Sequence, residues 1–391
     1  MKNQFDTIIL GLGAMGSAAL YQLAKRGNRV LGIDQFSPPH MLGSSHGDSR
    51  ITRQAIGEGE QYTPLALRSY EIWQEIEKET GKKLLEITGG LIVSSGAKTG
   101  IMHVKNFFEN TVAAAKKFNI KHEILNAHQI RKRFPQFNLQ DNETGYYEYK
   151  AGFLRPEECV SAQLFLAEKY GATMHKNEKV ASFSEKDGSV RVQTNLGEYQ
   201  AKKLIVSTGP WLPTLIGDEY SKNFKVIRQV LFWFDVQTSI KRFEPKNFPI
   251  FIWELQGNKQ SIYGFPAIDG QKGGVKIASE QYDTSTTADT VNREVSEVEI
   301  KAMYKDFVAP YFPDLRDKCV KAVSCLYTVT PDFHFVIDTH PKHPSIILAS
   351  PCSGHGFKHS AAIGEVLAQL AIEGKSTIDI SSFSIKRFAK K

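Results

Sequence analysis

The hydrophobic positions of this chain change period several times, and each change marks an element. Residues 5–11, Phe-Asp-Thr-Ile-Ile-Leu-Gly, are almost continuously apolar and predict a short buried strand. Met15, Ala18, Ala19, Tyr21 and Leu23 then fall at helical spacing over 14–26. Residues 29–34, Arg-Val-Leu-Gly-Ile-Asp, predict a second strand. A strand, a helix and a strand in this order make a β-α-β unit, which favours a parallel sheet with a right-handed crossover. Thr63-Pro64 predicts a helix start, with Thr63 as N-cap and Pro64 at the first helical position. Its apolar positions Leu65, Ile72, Trp73 and Ile76 share one side, and Gly81 is placed to end it. Residues 90–94, 203–207 and 345–350 predict further short strands. From 227 to 280, apolar and polar residues alternate in short runs broken by Gly, Pro and Asn, which predicts an antiparallel sheet. Ser360 is placed to cap a last helix that runs through Glu373 and ends at Gly374.

Parallel-sheet signals thus stand at both ends and briefly in the middle, with antiparallel signals between. The fold class this implies is α/β with an α+β insertion. A Rossmann-type nucleotide domain is assembled from 1–90, 151–215 and 322–391. A second domain, 91–150 and 216–321, carries the mainly antiparallel sheet.

At 391 residues the chain is long enough for two such domains. Its 49 Lys and Arg against 42 Asp and Glu give a net charge of +7. These cations are spread along the chain, which argues against nucleic acid and fits anionic small ligands. The basic tail from Lys386 to Lys391 reads as a frayed terminus. Cysteines 159, 319, 325 and 352 form no Cys-x-x-Cys pair, so neither a metal site nor a disulfide framework is expected. No run of 18 apolar residues predicts a membrane span, and a reducing, cytoplasmic setting is expected.

The first strand leads into Gly11-Leu12-Gly13-Ala14-Met15-Gly16. In such a turn the first glycine permits the bend, the second lets backbone approach a pyrophosphate, and the third lets helix pack on sheet. The helix N-terminus then offers free N–H groups to phosphate. Asp34 ends the second strand, where its carboxylate can accept from ribose hydroxyls. A dinucleotide site follows, although the motif does not separate FAD from NAD.

Further segments carry a family resemblance. They are Gly43-Ser44-Ser45-His46-Gly47-Asp48-Ser49-Arg50-Ile51-Thr52-Arg53, Gly57-Glu58-Gly59-Glu60-Gln61-Tyr62, Tyr263-Gly264-Phe265-Pro266, Gly274-Val275-Lys276, Ser324-Cys325-Leu326-Tyr327-Thr328 and Ser353-Gly354-His355-Gly356-Phe357-Lys358. In content and order they resemble the monomeric sarcosine oxidase and N-methyltryptophan oxidase family of flavoproteins, within the D-amino-acid-oxidase-like group. The resemblance runs nearly end to end. It implies FAD, attached covalently through the sulfur of Cys325. It also implies oxidation of a secondary or tertiary amine beside a carboxylate to an imine, with oxygen reduced to hydrogen peroxide. A small-molecule amine and O2 are the expected partners, and a monomer the expected state. The implied cofactor contacts are Gly11, Gly13, Ala14, Met15, Gly16, Asp34, Ser44, Ser49, Arg50, Val180, Gly209, Cys325, Gly354, His355, Gly356 and Lys358.

The resemblance also implies roles at the reacting end. Arg53 and Lys358 match the carboxylate-binding pair; a guanidinium grips both oxygens and an ammonium adds a point charge. Otherwise they are a surface ion pair and an exposed helix-start residue. Lys276 matches the lysine that activates oxygen, with a water-facing strand lysine as the alternative. His46 and Arg50 match groups that tune the flavin from its other face. Their alternatives are a hydrogen-bonded loop histidine and a phosphate or backbone clamp. Tyr263 and Tyr327 match aromatic walls around the amine, with core packing as the alternative. Cys352 is the rival thiol beside the glycine loop and reads as packing near the flavin. Glu280 departs from the pattern, because relatives place a histidine four residues after Lys276. A carboxylate there repels a substrate carboxylate or attracts a cationic side chain. With Ile252, Trp253 and an extra residue in the next loop, it argues against sarcosine itself and suggests a larger N-substituted or cyclic amino acid, including one with a second cationic group. Competing readings are a flavin dehydrogenase using another electron acceptor, which Lys276 argues against, and a non-catalytic flavoprotein.

Overall fold

The computed structural model describes residues 4–96, 104–257 and 261–389. Lys390 and Lys391, and the part of the expected extra-residue loop that falls on 258–260, lie outside them.

The β-α-β unit forms from Gln4–Leu10, Ala14–Lys25 and Val30–Ile33. Its strands pair in parallel, with Ile8 opposite Leu31 and Leu10 opposite Ile33. Three more strands extend this parallel arrangement to the order Thr173–His175, Val30–Ile33, Gln4–Leu10, Glu198–Val206, His343–Ser350. The apolar runs are continuous because both faces are covered. Ile9, Ile205 and Ile347 pack under the helices, while Ile8, Leu204 and Ile346 pack on the other side against Val190, Val192 and Leu212. The two ends of the chain meet here. Helix Ser360–Glu373 lies so close to Ala14–Lys25 that a Cβ on Gly364 would stand 2.4 Å from the Cβ of Ala18.

Among the described residues the expected antiparallel sheet contains nine strands. Eight run in the order Ser285–Thr286, Lys225–Val236, Val275–Ser279, Ile262–Phe265, Ile250–Glu254, Gly90–Ser94, Thr144–Glu148, His122–Asn126. The ninth, Leu315–Val329, pairs with Lys225–Val236 along almost its whole length. One pair, Gly90–Ser94 with Ile250–Glu254, is parallel. Leu315–Val329 runs unbroken across the expected division at 321/322, so Cys325 is carried by this sheet and not by the parallel one. Backbone pairing, with Gln229 opposite Cys325, is what holds it there.

Three further expectations are corrected. Thr63 and Ser360 are the first helical residues and not caps, and neither hydroxyl finds a partner. Single 3₁₀ turns, Glu60–Tyr62 and Phe357–His359, lead into these helices and their carbonyls take the first N–H groups. The closures at Gly81 and Gly374 form in the left-handed region, with φ of 69° and 73°. The basic tail is docked as far as Ala389: Arg387 pairs with Asp332 at 2.7 Å over the turn Ile385–Phe388.

Candidate active site

The glycine turn is dictated by contact. Gly11 has φ 83°, and a Cβ there would stand 2.7 Å from the carbonyl oxygen of Ser207. A Cβ on Gly16 would lie 1.7 Å from the Gly11 carbonyl, so helix and strand touch through bare backbone. Gly13 has nothing nearer than Ser45 Oγ at 3.4 Å, which leaves its outer side open to a ligand. Asp34 is buried beyond this turn. Its carboxylate accepts from the N–H groups of Leu12 and Phe36, both at 2.8 Å. Burial pushes the Asp34 carboxyl up, against the pull of those N–H groups and His40. From the turn a long cavity runs past Gly11, Gly13, Ala14, Met15 and Asp34, then Ser44, Arg50, Val180 and Gly209, to Tyr327, Cys352, Gly354 and Gly356. His40 and Trp211 also line it, and no motif in the sequence pointed to them. Gly16, inside the helix and against the strand, does not line it.

A second cavity opens beyond the first, and Arg50, Tyr327, Gly354 and Phe357 line both. Strand register builds one of its walls. Directly opposed residues in antiparallel strands point to the same face, and alternate residues along a strand do too. Trp233 opposes Lys276, Lys276 opposes Phe265, Tyr263 opposes both Ala278 and Ile252, and Ile227 opposes Tyr327. Leu231, Lys276, Tyr263, Ile252, Cys325 and Tyr327 therefore share one face, and all six line the second cavity. The opposite face is the core of Phe234, Phe251, Val275 and Ile277. Trp253 belongs to that core, where its indole donates to Glu143 at 2.7 Å, so it is no part of the pocket wall.

The loop 43–53 packs over this wall. Gly47 and Asp48 both have positive φ, and their N–H groups donate to Glu157 Oε1. Lys276 is 1% exposed and does not face water. Its ammonium donates to the carbonyls of Gly47 (2.7 Å) and Ser49 (2.9 Å) and to Ser49 Oγ (3.2 Å). It also lies over the Phe265 ring at 4.5 Å. Burial, and then Arg50, push the Lys276 ammonium well below its ordinary range. Ser49 lines the second cavity and not the first.

The two candidate thiols differ sharply. Cys325 is 1% exposed, with Arg50 Nη2 at 3.4 Å from its sulfur. Burial alone would raise this thiol, but His46 and Arg50 outweigh it and draw it down to about 6. Cys352 Sγ accepts from the Thr328 N–H at 3.3 Å, and burial pushes that thiol up. A low pKa marks the nucleophilic thiol, so the rivalry falls to Cys325. His46 is fully buried and lines neither cavity.

Arg53 and Lys358 come together although 305 positions separate them in sequence. Both are buried, at 2% and 6% exposure, so neither is a surface group. Glu58 stands between them: Oε2 is 2.5 Å from Arg53 Nη2 and Oε1 is 3.2 Å from Lys358 Nζ. Lys358 also donates to the His355 carbonyl at 2.9 Å. Burial lowers the Lys358 ammonium to about 8, against the pull of Glu58. His355 and Lys358 line the second cavity and not the first, and Glu280 lines it as well. Gly356 makes this loop possible, since a Cβ there would stand 1.7 Å from the Pro351 carbonyl.

A model of the DAO family, FAD dependent oxidoreductase, matches residues 6–370. The chain belongs to this family. It is 40% identical over 390 residues to the monomeric sarcosine oxidase of Streptomyces avermitilis, covering 100% of this chain and 99% of that one. It is 33% identical over 392 residues to the N-methyl-L-tryptophan oxidase of Escherichia coli, covering 98% and 100%. Among solved structures, NikD, an amino acid oxidase essential for nikkomycin biosynthesis, superposes with a TM-score of 0.82 at 20% identity, covering 98% and 97%. That likeness speaks for the fold. FAD also fits the residues present. Ser44 Oγ and Thr208 Oγ1 are buried without a partner, and both residues line the long cavity. Such groups call for a polar ligand. The bare glycine turn admits its pyrophosphate. Among the described residues no helix is long and apolar enough to cross a membrane.

Proposed function

We propose that this flavoenzyme oxidises the amine of N-substituted α-amino acids, of the sarcosine and N-methyl amino acid class, to an imine, and passes the electrons to oxygen. The carrying observation is the second cavity. Strand register lines its wall with Cys325, Lys276, Tyr263 and Tyr327, and the buried cations Arg53 and Lys358 open onto the same space. The relatives' names support the substrate class. FAD accepts a hydride equivalent from the substrate and returns electrons to oxygen when bound. The long cavity suits it: Asp34 toward the adenosine ribose, the 11–16 turn at the pyrophosphate, and Arg50 and Tyr327 where the two cavities join. In this reading Cys325, a thiolate stabilised by His46 and Arg50 before it reacts, would hold the flavin through a thioether.

The chain's own groups then have separable tasks. Arg53 and Lys358 fix the substrate carboxylate in place of, or beside, Glu58, which orients the amine toward the junction of the cavities. Tyr263 and Tyr327, their hydroxyls 3.4 Å apart, wall the amine and exclude water. Lys276 places a buried positive charge where reduced oxygen species develop negative charge. Its three acceptors in the 47–49 loop keep that charge in position. The monomeric state and a reducing, cytoplasmic setting are part of the same reading, the latter supported by four unpaired cysteines. The test is direct: mix the purified yellow protein with N-methyl amino acids and measure peroxide, then precipitate it in acid. Peroxide release and colour retained in the pellet are expected. Flavin reduction without peroxide would make the protein a dehydrogenase. No reduction by any N-alkyl amino acid would refute the substrate class, and a colourless pellet would refute the thioether.

A further inference from the structure

Resting on that reading, the substrate cavity says more about its ligand than the carboxylate pair does. Glu280 follows Lys276 and Ala278 at alternate positions, just past the strand Val275–Ser279, and opens into the same cavity. Tyr282 donates from its hydroxyl to Glu280 Oε2 at 2.7 Å, which fixes the carboxylate; Tyr282 is itself held edge-on to Phe333 with centroids 4.9 Å apart. The other oxygen, Oε1, lies beside Gly354: a Cβ built there would stand 3.4 Å from Oε1 and 2.9 Å from the Tyr327 ring. Gly354 and Tyr327 line both cavities. Glu280 therefore reaches the seam between the cofactor cavity and the substrate cavity. That seam is where the reacting carbon and its nitrogen must sit.

The groups gathered around Gly354 at the seam are a carboxylate oxygen and the Tyr327 ring, and the Tyr263 hydroxyl lies 3.4 Å from that of Tyr327. Aromatic faces with a carboxylate are the arrangement that recognises an alkylated ammonium, because ring quadrupole and anion both favour positive charge spread over N–CH groups. Arg53 and Lys358 supply the opposite polarity in the same cavity. We propose that Glu280, with Tyr263 and Tyr327, forms a cage for the reacting nitrogen in its alkylammonium form, so that the site selects zwitterionic N-alkyl amino acids over carboxylates that lack the cation. A consequence follows for the reaction. The amine must give up its proton before its carbon can be oxidised, and the Glu280 charge stabilises the protonated form. The bound amine thus titrates at higher pH than it would beside a neutral residue.

Two unreactive ligands of one shape test the cage on the holoenzyme. Dimethylsulfonioacetate carries a permanent positive charge; 3-methylbutanoate replaces its sulfur with a CH group. Both are titrated against flavin absorbance. Wild type should bind the sulfonium at least about tenfold more tightly, the scale of one contact to a charged group. E280Q keeps the side chain's size and an acceptor for Tyr282. It should lose most of that preference, and it should reach its full rate of flavin reduction at lower pH than wild type. Equal affinities in wild type, or an undiminished preference in E280Q, would overturn the cage while leaving a peroxide-forming oxidase intact. If neither ligand perturbs the flavin of loaded protein, the amino-acid oxidase reading falls with it.

Discussion

Removing the Arg50 charge should move the acidity of Cys325 and with it the rate at which flavin is attached. The thiol lies between opposed influences: burial raises it, while His46 and Arg50 bring it down to about 6. Arg50 is fixed for this purpose, since its guanidinium donates to the carbonyls of Ser44 and Ser49, both at 2.9 Å, and reaches the sulfur at 3.4 Å. At pH 7 a thiol titrating near 6 is roughly nine-tenths thiolate, whereas an ordinary cysteine near 8.5 is a few per cent. An opposite charge at contact distance moves a neighbour's pKa by roughly 1–3. Arg50→Met should therefore place Cys325 at roughly 7–9, cutting the thiolate share at pH 7 to between about a half and about 1%. If the thiolate is the attacking form, attachment at pH 7 should slow by about 2- to 90-fold, and the two proteins should converge at high pH. The assay mixes flavin-free protein with FAD across the range around these pKa values, then precipitates in acid and reads flavin fluorescence in the pellet. Wild type should rise through pH 6 and level off. A superimposable R50M profile would refute the argument, as would a wild-type rise only in the ordinary cysteine range. R50M slowed equally at every pH would mean that Arg50 positions the flavin and does not set the thiol's acidity. Cys325→Ser should leave FAD extractable, and Cys352→Ser should not.

Lys358 carries its charge below its pKa of about 8, so kcat/KM for a carboxylate substrate should fall as pH rises through that value. Lys358→Met should abolish that limb and raise KM by roughly tenfold or more; steady-state peroxide assays across pH read both. Lys276→Met should slow reoxidation by oxygen by roughly 10²–10³ while substrate still reduces the flavin, as stopped-flow absorbance would show. Because burial and Arg50 depress Lys276, wild-type reoxidation should also decline with rising pH, well before an ordinary lysine titrates. Gly16→Ala puts a methyl 1.7 Å from the Gly11 carbonyl and should lower both the Tm and the co-purified flavin. Gly13→Ala meets only Ser45 Oγ at 3.4 Å and should fold normally while losing FAD, a contrast that separates packing from phosphate approach.

What could be read from the sequence, and what could not, divides by range. Asp34 and the β-α-β unit are set by neighbours within about thirty residues, and there the pattern of apolar positions suffices, whereas Gly11 also answers to the distant Ser207 carbonyl. Alternation also announces the antiparallel sheet, but it cannot say which alternate set meets the core. Ile252 and Trp253 are adjacent and similar in character, and only pairing with Tyr263 and Ile262 sends one to the cavity and the other to the core. The caps at Thr63 and Ser360 failed for the same reason, because the 3₁₀ turns before them are packed by distant residues. Tyr62 rests against Phe335, His355 and Phe383. Glu58 shows no role of its own in the sequence, although it lies in the 57–62 segment. Arg53 and Lys358, which it joins, lie 5 and 300 positions away, and no local signal links them. That omission bears on the chemistry. A carboxylate entering the cavity competes with Glu58 for Arg53 and Lys358, so affinity depends on a difference between two anions and not on the cations alone. Glu280 adds a second negative charge to the same space. A simple carboxylate meets both anions, whereas a ligand with its own positive nitrogen converts one of those repulsions into an attraction. On the proposed reading, the substrate's charge pattern is set by four residues from three stretches of the chain, which is why a motif names the family sooner than it names the substrate.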